Sequence, residues 1–294
     1  MLKPYLRRLA RGLRMLRSGR TQKTAAAGSS LGPGIAEYIL TFCSQSPEAR
    51  GYAELHLGRF VRTLELTPKG DAQKSLLEMG AYMQMTPAFK TKVGYGSVRG
   101  CYLGPLGKAD HKTVQSTDGE TFDCTIDLFN AESDAYPYAD GSFDTVVCCE
   151  LLEHLSEDPM HLMFEVNRIL KVGGHFVLST PNIVALRAVC ATLHGYHPGL
   201  FTQYTARGGG NAVEPRHARE YTPKEIGDLL AATGFAVEHL ETGSYGLGRD
   251  AQHDWVIEIL QKHGFSTDLR DDTIHVVGRK TGPPKDRYPS WLYT

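Results

Sequence analysis

Glu150, Glu153 and His154, in the string CELLEH, are the densest group of chemically capable side chains in this sequence. If a helix has begun by Glu150, spacings of three and four bring all three to one face. Two carboxylates and an imidazole there suit a divalent cation such as Mg2+. Without a metal, Glu150 and His154 remain candidate catalytic residues, the histidine as a base. The bland alternative is that they only hold a loop in place. A second group lies earlier, at Glu78-Met79-Gly80-Ala81-Tyr82. There an acid and a glycine follow an apolar run, and glycine lets a backbone approach a ligand closely.

The elements that position these groups follow from periodicity. Residues 145–149 (TVVCC) have the length and branching of a buried parallel strand. Met160, Met163, Phe164, Val166, Ile169 and Leu170 are spaced for one helix face, with Lys171 and Gly173-Gly174 as its end. Residues 175–180 make a second buried strand, closed by Pro181-Asn182. The handedness of such a strand–helix–strand unit places both strand ends at one edge, where ligands of parallel sheets bind. Glu150, Glu153, His154 and residues 180–182 therefore face one crevice.

Further strands are expected at 74–80, 97–103, 122–129, 235–241 and 273–279, with residues 105–121 read as polar turns. Two helices are expected between 35 and 66, the second starting at Pro47 with Ser46 as its cap. Thr86-Pro87 reads as another cap and first helical residue, and Thr222-Pro223-Lys224-Glu225 as a capping box whose helix runs to Ala232 before Gly234. A helical stretch is expected at 183–195 and a short helix at 255–263. Residues 196–220, with three consecutive glycines and two prolines, are irregular in the way of a lid, placed at 184–222. The tail at 281–294 is expected to pack through Tyr288, Trp291 and Tyr293. The resulting division is an arm and linker (1–34), a helical extension (35–70), a core domain (71–280) and the tail.

Net charge is −1, but residues 1–23 hold eight lysines and arginines and no acid, which leaves the rest at −9. An acidic body argues against a broad nucleic-acid surface. The run at 2–17 repeats leucine at helical spacing among arginines, which suits peripheral contact with an acidic membrane; a cleaved presequence or a solvated arm are the alternatives. No run is long and apolar enough for a transmembrane helix. The six cysteines lack metal-type spacing and read as small buried hydrophobes of a reducing cytoplasm.

The strings DGSFDTVVCCELLEHL and EVNRILKVGGHFVLSTPN resemble class I S-adenosylmethionine-dependent methyltransferases, over roughly residues 71–280. The resemblance implies an α/β, Rossmann-like, doubly wound sheet of seven strands, mostly parallel with an antiparallel last strand. It implies S-adenosyl-L-methionine as cofactor, held by Glu78, Gly80, Ala81 and Tyr82 after the first strand and by Cys149 and Glu150 after the fourth. Asn130, Ala131 and Glu132, with Asp127 beside them, would form the adenine edge. The family's turn has the form (D/E)xGxGxG; here Tyr82 and Gln84 replace its second and third glycines. The helix starting at Thr86 is left to face the methionine carboxylate. The ribose-binding acid expected after the second strand is missing from Tyr102-Leu103-Gly104, with Asp110 as one substitute. The ExxEH pattern resembles ubiquinone-biosynthesis and small-RNA 2′-O-methyltransferases, in which it is linked to a metal. That resemblance adds His217 to Glu150, Glu153 and His154 as a metal ligand or base.

CELLEHL, STPN, HAREYTP and the terminal DRYPSWLY together resemble bacterial enzymes of polysaccharide, glycolipid or secondary-metabolite assembly, which implies O-methylation of a sugar, glycan or other small-molecule hydroxyl. A quinone-like or phenolic acceptor at a membrane is the runner-up, and a non-catalytic scaffold on the same fold is the alternative from another class. A nicotinamide dehydrogenase is poorly supported, because no GxGxxG follows the first strand.

Overall fold

The computed structural model describes residue 31 and residues 34–43, 47–200, 217–245 and 251–294. The basic run at 2–17, most of the linker, the Ser46 cap and the middle of the lid lie outside the described residues.

The sheet is laid out around β1 (Ser75–Met79), whose last four residues are buried. It pairs in parallel with β2 (Ser97–Tyr102) on one side and β5 (Phe143–Cys149) on the other. Outward from β2 come β4 (Thr121–Leu128), parallel, and β3 (Lys108–Gln115), antiparallel. Outward from β5 come β6 (Leu170–Pro181), parallel, then β8 (Thr273–Lys280) and β7 (Phe235–Gly243), each antiparallel to its inner neighbour. The order is β3-β4-β2-β1-β5-β6-β8-β7. The doubly wound class is as expected, with an eighth strand. That strand, β3, corrects the reading of 105–121 as turns. None of its residues is buried, so it carries no hydrophobic alternation and exists only through its pairing with β4.

Helices cover both faces. On one lie α1 (Ile35–Thr41), α2 (Pro47–Leu55), α3 (Leu57–Leu66) and α4 (Thr86–Thr91), where Ile39, Phe60, Leu64 and Phe89 meet Leu76, Val147, Val177 and Val277. The extension thus has three helices here, one more than expected. On the other face α5 (Pro159–Ile169) and α7 (Pro223–Ala232) set Met163, Val166, Ile226 and Leu230 against Leu77, Val146, Phe176 and Val276. α6 (Leu186–Leu193) and α8 (Asp254–Lys262) form a small satellite through Leu186, Val256 and Leu260. Between β1 and β5 the connections leave to opposite faces, which opens a crevice at the carboxyl ends of those strands.

Three local readings change. β6 begins at Leu170, and Gly173-Gly174 lie inside it; a Cβ on Gly174 would sit 2.9 Å from the carbonyl oxygens of Asp144 and Lys171. α4 is only six residues long, and Thr86 is its first residue with Met85 as cap. The tail docks through Tyr293, whose hydroxyl donates to Asp158 (2.6 Å), while Tyr288 stays 61 % exposed. The capping box at Thr222 forms as expected, both of its bonds being present.

Candidate active site

The first wall of the crevice is the end of β1. Glu78 is buried, and burial pushes its carboxyl up to about 7, opposed only by the neighbouring Thr86 hydroxyl. Its Oε2 has no hydrogen-bond partner. The chain then turns at Gly80 with φ +68, and the amides of Gly80 and Ala81 both donate to the Cys101 carbonyl (2.8 and 3.2 Å). A Cβ built on Gly80 meets nothing within 4 Å, so its backbone stands open to a ligand. The residues that flank Tyr82, Ala81 and Met83, pack with Phe42, Phe122 and Ile126. Tyr82 remains exposed, its ring parallel to that of Tyr102 at 6.4 Å. The Tyr102 hydroxyl donates to Asp110, which arrives on β3. An acid does therefore stand beside the end of β2, supplied by the strand that the periodicity did not reveal.

At the end of β4, Asp127 is engaged within the sheet. Burial works against its charge, yet bonds from Arg99 and from the Tyr138 hydroxyl (2.7 Å) hold its carboxyl below the usual range. Asn130 caps its own loop, Oδ1 accepting from the Glu132 amide (2.9 Å). The Glu132 carboxylate accepts from the amides of Glu157 and Asp158, and the Ala131 carbonyl accepts from the Tyr136 hydroxyl. These three residues form a braced rim in which Glu132 already has partners.

The second wall is the end of β5. The Cys149 thiol is pushed up to about 11, chiefly by burial. Glu150 takes a left-handed φ of +52, uncommon for this residue and typical of sites held by their surroundings. Its amide donates to the Ser179 carbonyl (2.9 Å), and its carboxylate accepts from the Ser179 hydroxyl (3.0 Å). From α3, the buried side chain of Arg59 faces this strand end. Burial disfavours its charge, but Glu150, Tyr52, Cys149 and Tyr245 outweigh that. Its Nη2 reaches the Tyr52 hydroxyl at 3.4 Å, and its Nε has no partner. Periodicity places the apolar residues of α3 but gives no sign that this arginine is buried at the site.

The third group corrects the assumption that a helix has begun by Glu150. The left-handed residue prevents it; only a 3-10 turn, Leu152–His154, forms, and α5 starts at Pro159. That turn buries Glu153 completely and leaves His154 about one third exposed. Glu153 Oε2 accepts from the Thr180 hydroxyl (3.0 Å), while Oε1 has no hydrogen-bond partner and lies 3.8 Å from His154 Nε2. Burial, reinforced by the charge of Glu150, pushes the Glu153 carboxyl well above the ordinary range. The segment carrying His217 is pinned here by the amides of Ala218 and Arg219, which donate to the Glu153 carbonyl (2.7 and 3.2 Å). The His154 and His217 rings are 5.1 Å apart. One ligand atom each from Glu153, His154 and His217 falls within 4.8 Å of the others. The structure thus gathers three of the four residues expected at a metal, and Glu150 stands outside that group, held by Ser179.

Among curated proteins, a stretch of 131 residues is 30 % identical to a probable S-adenosylmethionine-dependent methyltransferase of Mycolicibacterium smegmatis, covering 44 % of this chain. The match spans 43 % of that relative, less than half of its length. Among solved structures, an S-adenosylmethionine-dependent methyltransferase of Mesorhizobium loti aligns at 17 % identity and TM-score 0.45, over 77 % of this chain and 98 % of that one. One from Archaeoglobus fulgidus aligns at 14 % and 0.47, over 79 % and 94 %. Neither likeness is strong enough to carry weight. The family model described as a methyltransferase domain, however, matches residues 52–240, well over half of the chain. On that match the chain belongs to the methyltransferase-domain family, whose members draw their methyl group from S-adenosylmethionine.

Proposed function

We propose that this protein is an S-adenosylmethionine-dependent O-methyltransferase acting on a hydroxyl of a sugar or glycan acceptor, with a divalent cation held by Glu153, His154 and His217. The observation that carries the reading is the convergence of those three ligand atoms within 4.8 Å at the strand ends. The residues present also fit the cofactor. The unpartnered Glu78 Oε2 suits a cationic group, the unpartnered Arg59 Nε suits a carboxylate, and Gly80 leaves its backbone open. Arg59 takes over the part that sequence reasoning gave to the start of α4, because a helix of six residues has little dipole to offer.

When bound, S-adenosylmethionine supplies a methyl group already activated on a sulfonium, so the chain has to provide alignment and an exit for the acceptor proton. Glu78, Gly80, Ala81, Cys149, Glu150 and Arg59 would hold and orient the cofactor in the crevice between β1 and β5. Glu150 is kept in place by Ser179. Glu153, His154 and His217 would hold a divalent cation at the same edge, which would lower the cost of an acceptor alkoxide. Without Glu150 the donor set is one carboxylate and two imidazoles, which suits Mn2+, Fe2+ or Co2+ better than the Mg2+ suggested by a set with two carboxylates.

The test is to incubate the full chain with S-adenosylmethionine and a panel of sugar, phenolic and amine acceptors. Products are read by mass spectrometry, with and without chelator and with Mn2+ restored. The reading expects a methyl ether on a sugar hydroxyl, lost with chelator and regained with Mn2+. Methylation at nitrogen would refute the O-methyltransferase assignment, and full activity in chelator would remove the cation. Failure of a folded protein to bind S-adenosylhomocysteine would favour a scaffold.

A further inference from the structure

Among the described residues at this edge, Glu220 is an acid with a buried side chain that the sequence analysis did not single out. Its side chain is 3 % exposed. One oxygen, Oε1, accepts two hydrogen bonds, from His217 Nδ1 (2.8 Å) and from the backbone amide of Leu200 (2.6 Å). The other, Oε2, is buried with no partner. An ionised carboxylate only accepts, so the proton of a neutral His217 is drawn to Nδ1 and the lone pair is left on Nε2. Leu200 and His217 stand at the two ends of the central stretch of the insertion, residues 201–216. A single oxygen therefore ties both ends of that stretch to one ring.

We infer that Glu220 is a positioning residue that fixes the tautomer and orientation of His217 for cation binding and couples cation occupancy to the stem of the insertion at Leu200. This rests on the cation reading of Glu153, His154 and His217. A carboxylate behind a metal-bound histidine restrains the ring and raises its basicity, and losing it typically weakens binding by roughly 10–100-fold. The backbone of the segment does not need Glu220 for this docking, since Ala218 and Arg219 hold it to Glu153. What Glu220 adds is the setting of the ring and the link to Leu200. By linkage, an occupied cation site strengthens the Leu200 bond as much as that bond strengthens cation binding.

The test uses the full chain, free of metal, titrated with Mn2+ by calorimetry in wild type and in the His217→Ala, Glu220→Ala and Glu220→Gln variants. Two further readouts are the His217 tautomer, by 15N NMR of the imidazole, and hydrogen exchange at the Leu200 amide with and without Mn2+. Expected are an Nδ1-protonated His217 in wild type, near-complete loss of Mn2+ binding in His217→Ala and a loss of roughly 10–100-fold in Glu220→Ala. Glu220→Gln preserves shape if the alanine variant misfolds; a weaker loss, a mixed tautomer and no slowing of Leu200 exchange by Mn2+ are expected of it. If His217→Ala loses Mn2+ while both Glu220 variants bind like wild type, this inference is overturned and the cation site stands. If wild type does not bind Mn2+, or binds no better than His217→Ala, the cation reading falls and takes this inference with it.

Discussion

Replacing Glu78 by glutamine separates what this carboxyl does for folding from what it does for binding. Burial raises it to about 7 in the folded chain, against 4.5 for an ordinary glutamate. Between those two values the folded state binds more protons than the unfolded chain, so stability falls as pH rises through the window. The stability present below pH 4.5 is lost once Glu78 is forced to ionise, and the full penalty is about 3 kcal/mol. Glutamine keeps the shape and cannot ionise. Its own buried amide donors carry a penalty, but an equal one at every pH, so the informative quantity is a difference of differences. Urea unfolding of the cofactor-free protein, followed by circular dichroism at pH 5 and pH 8, should show the variant gaining on wild type by about 2.5 kcal/mol between the two conditions, since part of the penalty is already present at pH 5. The variant should at the same time bind S-adenosylhomocysteine less tightly, because the ammonium group of that ligand favours the ionised form. An unchanged gap between variant and wild type at pH 5 and pH 8 would refute the buried, unpartnered placement of Glu78.

Four further outcomes are expected. Gly80→Val forces a branched residue into φ +68 and fills the open side of the turn, so calorimetry should detect no S-adenosylhomocysteine binding in a protein that still folds; wild-type affinity would displace the site from this turn. Arg59→Met removes a buried cation of similar volume, and the dissociation constant for S-adenosylhomocysteine should rise at least about tenfold, or 1.4 kcal/mol; no change would leave Arg59 with a folding role alone. His154→Ala should lower turnover far more than cofactor affinity, which steady-state kinetics beside a binding titration will separate. Thr222→Ala removes the side-chain bond of the capping box, from the Glu225 amide to Thr222 Oγ1, and should destabilise the fold by about 1 kcal/mol in urea titrations, with cofactor affinity unaffected.

The elements that bury apolar faces were legible in the sequence. β1, β5, β6 and α7 each declare themselves by a run, a period or a cap, because burial and capping act between residues close in the chain. The chain's order of strands and helices then implied the crevice, with Glu150, Glu153 and His154 facing it, and the family resemblance added Glu78 and Gly80. β3 could not be read, since its side chains bury nothing and its existence depends on hydrogen bonds to β4. Asp110 could be named as one substitute for the missing acid, but its position beside Tyr102 could not be read for the same reason. Glu220 carried a weak signal, three residues after a candidate ligand, in HAREYT; only the fold shows which oxygen meets which nitrogen.

By itself, the sequence determined the class of fold, and it pointed to one edge of the sheet and the residue types available there. The tertiary structure decided which of them meet. A left-handed turn at Glu150 sends that carboxylate to Ser179 and leaves Glu153 and His154 to find His217. Packing of α3 buries Arg59 opposite Glu150, ninety-one positions away in the chain. The physical reason is range. Propensity and periodicity act over a few residues, whereas convergence of side chains depends on strand register, on loop closure and on the fit of whole faces, which no local stretch of sequence contains.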